Sequence, residues 1–241
     1  ASKRSILRIK KAYLTLSPRI ILPCLALGSA SFVMQASESV ISVCFNTSLR
    51  LYGGDIAVGA MTILTSVMQF AMLPMQGIAQ GAQPILGYNY GGKNAPRVKK
   101  TFRILLITCL IYSVTLWASV LLFPRAFASM FTPDQALLDF TEKVLPIYIF
   151  GVGIFGIQIA CQMTFVSIGN APCSIIVAIV RKFVLLLPLI YLMPQLIANK
   201  TLGVYTAEPV ADVIAVTFTA ILFTVQFKKA LKSLTTENSM P

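Results

Sequence analysis

The chain has 241 residues, of which 56% are hydrophobic and 12% charged, with a mean hydropathy of +0.79 and a net charge of +12. Soluble domains carry about a quarter charged residues, so this composition excludes an ordinary soluble domain and points to an integral membrane protein. The basic residues fall in short clusters between apolar runs, as topology signals do, and no nucleic-acid partner is expected.

The chain has no histidine, and its five cysteines lie mostly within apolar runs without a C-x-x-C pair. A zinc site, a Ser-His-Asp group and a Cys-His group are therefore excluded, and we expect neither an enzyme nor a resident cofactor.

Residues 1–19 form a basic arm that imitates the start of a secretory signal. The apolar run behind it outlasts the roughly 7–15 residues of a signal h-region, so a retained membrane helix is expected. Taking about 20 apolar residues per crossing, the pattern predicts six spans, near 20–45, 56–79, 102–123, 144–168, 175–197 and 211–227. The last has a short apolar core, from Val213 to Phe227. Residues 228–241 form a tail. The connections are short, and 124–143 and 198–212 each have room for a helical turn.

Sixteen of the 20 basic residues fall on one side of this scheme: the arm, the second connection (Lys93, Arg97, Lys99, Lys100, Arg103), a fourth connection taken to hold Arg181 and Lys182, and the tail (Lys228, Lys229, Lys232). Only Arg50, Arg125, Lys143 and Lys200 fall on the other. The positive-inside rule then puts both termini in the cytoplasm. Glu208 is assigned to an outer connection and Asp212 to the head of the last helix, which leaves Glu38 as the one acidic residue well inside a span.

A carboxylate at membrane depth costs about 2.5–3.5 kcal/mol on insertion scales and asks for a reason. Stepping 100° per residue, Ser31, Gln35, Glu38, Ser42 and Asn46 share an arc of about 80° on the first span. On the second, Thr62, Thr65, Ser66, Gln69, Gln76 and Gln80 form a similar stripe beside Met61, Met68, Met72 and Met75. On the fourth, Tyr148, Gly151, Phe155, Gln158, Gln162, Phe165 and Gly169 align. Such stripes either line a water-filled cavity or hold helices together by hydrogen bonds, and the methionines either line a pliable binding surface or fill gaps. Pro74, Gly77 and Gly81 give the second span a kink, with Gly77 and Gly81 also spaced for close helix contact. The same three residues are the candidate hinge.

The motif Y-G-G-D-I-A-V-G-A-M at 52–61 and L-P-M-Q-G-I-A-Q-G-A-Q-P-I-L-G-Y-N-Y-G-G-K at 73–93 resemble the multidrug and toxic compound extrusion (MATE) transporters. S-I-G-N-A at 167–171, R-K-F-V-L-L-L-P-L-I-Y-L-M-P at 181–194 and L-G-V-Y-T-A-E-P-V-A-D at 202–212 extend the resemblance over nearly the whole chain. It implies an all-α bundle of six transmembrane helices, the second lobe of a twelve-helix, two-lobe transporter whose N-terminal six-helix lobe is the missing partner. The start at Ala1 and the basic arm fit a linker between lobes.

The resemblance further implies a bacterial cytoplasmic membrane and export of small cationic or amphipathic substrates by alternating access, with sodium or protons as coupling ion. Glu38 matches a carboxylate that some members carry in the seventh helix, as a substrate, proton or possible sodium contact. Ser31, Gln35, Ser42, Met68, Met72, Gln69, Gln76, Tyr148, Phe155, Gln158 and Gln162 are the candidate substrate and ion contacts around it. Members with an acidic residue in the tenth helix have no counterpart here. A flippase for lipid-linked precursors calls for basic residues in mid-span, and none is read there. A structural membrane protein held together by its polar stripes is the alternative outside transport.

Overall fold

The structure, a computed structural model, describes residues 18–237, which are helical apart from short turns, with no strand among them. The described residues divide into two compact units, one up to residue 42 and the other from residue 43. The elements are α1 (Pro18–Gly91), α2 (Ala95–Leu122), α3 (Pro124–Ser129), α4 (Gln135–Tyr148), a 3₁₀ turn (Ile149–Gly151), α5 (Val152–Ser167), α6 (Ala171–Ile179), a π segment (Val180–Leu186), α7 (Leu187–Leu196) and α8 (Lys200–Glu237). The all-α class expected from the sequence is the class observed.

Among the described residues, five stretches are long and apolar enough to cross a membrane: Ala36–Gly91, Ala95–Leu122, Gln135–Ser167, Pro172–Leu196 and Lys200–Lys232. The first is 56 residues long. That is about 84 Å at 1.5 Å per residue, against a hydrocarbon core of about 30 Å, so it holds two crossings. They part at Gly54, whose φ of 67° and ψ of −162° leave the helical region for one that is essentially reserved for glycine. The bend is clasped by α8: Thr201 Oγ1 donates to the carbonyl of Tyr52 at 2.9 Å, and the Tyr205 hydroxyl donates to that of Ala57 at 2.7 Å.

Element ends follow local chemistry. The second crossing continues helically through Tyr88–Gly91, and the turn out of it falls at Gly92–Asn94, with Lys93 at φ 54°. Asn94 caps α2 by accepting from the Arg97 amide, and Asp134 caps α4 by accepting from the amides of Ala136 and Leu137. Such caps satisfy N–H groups that a helix start leaves without a partner. The connection at 124–143 is occupied by α3 and α4, held together at the surface by Arg125, which donates to Asp139 at 2.9 Å and Glu142 at 2.8 Å. The connection expected to reach Asp212 ends at Asn199, whose side chain accepts from the Leu202 amide as α8 begins.

The larger unit is built around α5. Its glycines admit neighbours on two sides, because small residues allow membrane helices to approach closely. Toward α2, a Cβ on Gly156 would lie 2.7 Å from the carbonyl oxygen of Cys109, and Ser113 donates to the carbonyl of Gly153 at 3.1 Å. Toward α8 the close approach is made by the 3₁₀ turn before α5, where a Cβ at Gly151 would lie 2.6 Å from that of Asp212. An aromatic cluster closes the core between α2, α5 and α8: Phe102 and Phe165 lie 4.5 and 5.2 Å from Phe223, which stacks on Phe227 at 4.7 Å.

Candidate functional site

The second crossing of α1 sorts its side chains by face. Met61, Met68 and Met75 are buried and Met72 is half-buried, so the methionine stripe belongs largely to the core. Thr62, Gln69, Gln76 and Gln80 are exposed, with Thr65 and Ser66 partly so. The hydroxyls of Thr62, Thr65 and Ser66 donate back to carbonyls of their own helix, at Val58, Met61 and Thr62. A hydroxyl can be satisfied in this way, whereas a glutamine amide at membrane depth needs a partner outside its own turn. Gly77 and Gly81 lie on open parts of this helix, where an added Cβ would meet nothing within 4 Å. The close helix contact that their spacing permits is not made among the described residues.

Glu38 and Ser42 are exposed positions of the first unit. Ser31 and Gln35, on the same predicted stripe, fall among residues whose side chains lie outside the described part.

The stripe on the fourth span is a packed seam. Tyr148, Phe155, Gln158 and Phe165 are buried, and Gln162 is half-buried. Gly151 meets Asp212, and seven residues farther along both helices Gln158 Oε1 accepts from Thr219 Oγ1 at 2.9 Å. The two contacts advance together, so α5 and α8 run parallel. For Gln158 this decides between the two uses the sequence leaves open: it bonds to a neighbouring helix.

Beside this seam lies a cluster that the sequence reading missed. Arg181, on the π segment, donates from Nη2 to Glu208 Oε1 and from Nε to Asp212 Oδ1, both at 2.8 Å. Its Cζ sits 4.7 Å from the centre of the Phe155 ring. Asp212 is fully buried, the Glu208 side chain is 9% and that of Arg181 14% exposed, and Lys182, next on the segment, is also buried. Arg181 lies nine residues into its crossing and Asp212 twelve into α8, about 14 and 18 Å along a helix. Both are in mid-span.

Three expectations are corrected here. Arg181 and Lys182 do not mark a connection, and without them fourteen basic residues stand against four on the opposite side. Glu38 is not the only acidic residue inside a span. Nor is mid-span free of basic residues, although Arg181 is neutralised by two carboxylates instead of being presented to an anionic ligand. The sequence does carry a signal for the cluster: Glu208 and Asp212 stand four apart, on one helical face, in an otherwise apolar run. Averaging hydropathy over a span hides it. The π segment is a second marker, since such widened turns concentrate at functional positions, but it becomes visible only in the structure.

Comparison with known proteins agrees with this architecture. The family model described as MatE matches residues 30–192. The multidrug export protein MepA of Staphylococcus saprophyticus is 21% identical over 191 residues, covering 79% of this chain and 42% of that protein. MepA of Staphylococcus aureus is 22% identical over 170 residues, covering 70% of this chain and 37% of that protein. The chain thus spans about two fifths of the curated relatives it matches. Among solved structures, the inward-facing conformation of a multidrug resistance MATE family transporter of the MOP superfamily superposes with a TM-score of 0.82 at 17% identity, covering 94% of this chain and 51% of that one. The MATE multidrug transporter DinF-BH superposes with a TM-score of 0.73 at 30% identity, covering 91% and 49%.

Proposed function

The chain belongs to the MATE family of multidrug transporters, and from that premise we propose that it is the C-terminal half of a secondary active exporter. The exporter expels organic cations and amphipathic drugs by alternating access, in exchange for sodium ions or protons. It is not an enzyme, and it needs no cofactor beyond the coupling ion. The other six-helix lobe completes the translocation path, and both termini of this half face the cytoplasm of a bacterial cell.

The observation that carries this reading is the exposed polar face of α1. Gln69, Gln76 and Gln80 project at membrane depth, where lipid cannot satisfy an amide. A water-filled path shared with the second lobe would satisfy them. On this reading Glu38 reads the charge of the substrate, with Ser31, Gln35 and Ser42 on its predicted stripe, and the half-buried Met72 supplies a deformable contact, whereas Met68 is buried in the core. Tyr148, Phe155, Gln158 and Gln162 act from behind, as the seam that positions α8 and the π segment. Pro74, Gly77 and Gly81 are the proposed hinge, and the open space that an added Cβ would meet at either glycine supports movement there.

The experiment is efflux of a cationic dye from cells expressing the full-length protein and its variants. Glu38→Gln keeps the shape and removes the charge, and it should reduce export. Gln76→Leu should reduce export without lowering the amount of protein in the membrane. Undiminished export by both variants would remove the assignment.

A further inference from the structure

We infer that Asp212 is a proton-exchange site of this lobe, carrying its proton on Oδ2. The inference rests on the exporter reading above and names one coupling ion within it. Asp212 Oδ1 is held by Arg181, whereas Oδ2 is buried without a hydrogen-bond partner. An ionised carboxylate oxygen left without a donor in an apolar interior is far more costly than a neutral one.

Among the described residues, the surroundings of Oδ2 supply no charge beyond the cluster and its sequence neighbour Lys182. From α5 comes the apolar ring of Phe155, which covers Arg181, and the 3₁₀ turn before it brings Gly151, where an added Cβ would lie 2.8 Å from Oδ2. On α8 the charged neighbour is Glu208, and on the π segment it is Arg181, with the buried Lys182 next in sequence. Tyr148, at the end of α4, is the titratable group one turn before Gly151. A sodium ion would have to displace Arg181 Nη2, which lies 2.8 Å from both Glu208 Oε1 and Asp212 Oδ1. A proton needs only one lone pair of Oδ2.

The consequence is directional. With the proton bound, Oδ2 is neutral and the seam between α5 and α8 is closed. When the proton leaves to water, Oδ2 is left as an ionised oxygen without a donor, which is relieved only if water enters or a side chain moves. Exchange at Asp212 is therefore tied to opening of the seam.

The test is infrared spectroscopy of the purified full-length protein in liposomes, titrated with pH in H₂O and D₂O. The wild type should show a carboxylic acid carbonyl band at neutral pH that shifts in D₂O. The band should vanish in Asp212→Asn and persist in both Glu208→Gln and Glu38→Gln. A wild type without the band, or a band that survives Asp212→Asn, overturns the inference. Should Asp212→Asn fail to fold, carbon-13 labelling of the aspartate carboxyls in the wild type decides, because an unshifted band overturns it equally. Dye export is scored separately. Export without the band removes the proton site and keeps the exporter, and the band without export does the reverse.

Discussion

Gln158 and Thr219 are joined by a 2.9 Å hydrogen bond between side chains, both buried, on helices 61 residues apart in the chain. Hydrogen bonds between membrane helices contribute about 0.6 kcal/mol on average, because the unfolded chain in lipid also finds partners. A double-mutant cycle of Gln158→Leu and Thr219→Val, measured by unfolding in detergent, should therefore return a coupling of about that size. Each single variant should lose more than the pair contributes, since it leaves one polar group buried and unmatched.

The contact between α2 and α5 tests a different limit. A Cβ at position 156 would lie 2.7 Å from the backbone oxygen of Cys109, a group that cannot swing aside. Gly156→Ala should cost about 1–3 kcal/mol, the usual range for overpacking, and lower the melting temperature in detergent. Gly77→Ala and Gly81→Ala meet open space. They should stabilise the helix by about 0.5–1 kcal/mol and slow dye export if bending occurs there, so stability and rate would move in opposite directions.

Arg181 makes the sharpest prediction for stability. Replacing it with Met leaves Glu208 and Asp212 facing each other without their shared cation, and removing one member of a buried ion pair costs about 3–5 kcal/mol. The variant should be poorly recovered from membranes. Arg181→Met combined with Glu208→Leu and Asp212→Leu should recover most of the loss, and dye export by this folded triple variant would show whether the cluster serves more than packing.

At the bend of α1, Gly54→Ala forces a side chain into backbone geometry that costs about 1–3 kcal/mol. Tyr205→Phe removes the donor to the Ala57 carbonyl and should cost about 1 kcal/mol. Thermal unfolding followed by circular dichroism distinguishes these from Gly91→Ala, where an added Cβ has nothing near it.

The sequence discloses the helical class and the position of most crossings, because long apolar runs and basic clusters are read directly. It also shows that Tyr148, Phe155, Gln158 and Phe165 share a face. What it leaves open is the direction of that face, since the same stripe would suit a wet cavity or a packed seam, and only the partner on α8 decides. The Arg181 cluster was hidden for a related reason. A charge inside a span averages away among aliphatic neighbours, and its acceptability depends on Glu208 and Asp212, which approach it only through the tertiary fold. Pro209 is a local signal against a helix at Glu208, yet α8 runs through it.

The clasp at Gly54 also sets an order of assembly. Its two hydrogen bonds join residues 149 and 148 positions apart, so the bend between the first two crossings gains its anchors only after the ribosome has delivered the last helix. Until then Tyr52 and Ala57 keep carbonyls without these partners, and the bend stays unfastened. A nascent chain that stops short of Lys200 would expose that bend to membrane proteases, and one extended past Tyr205 would not.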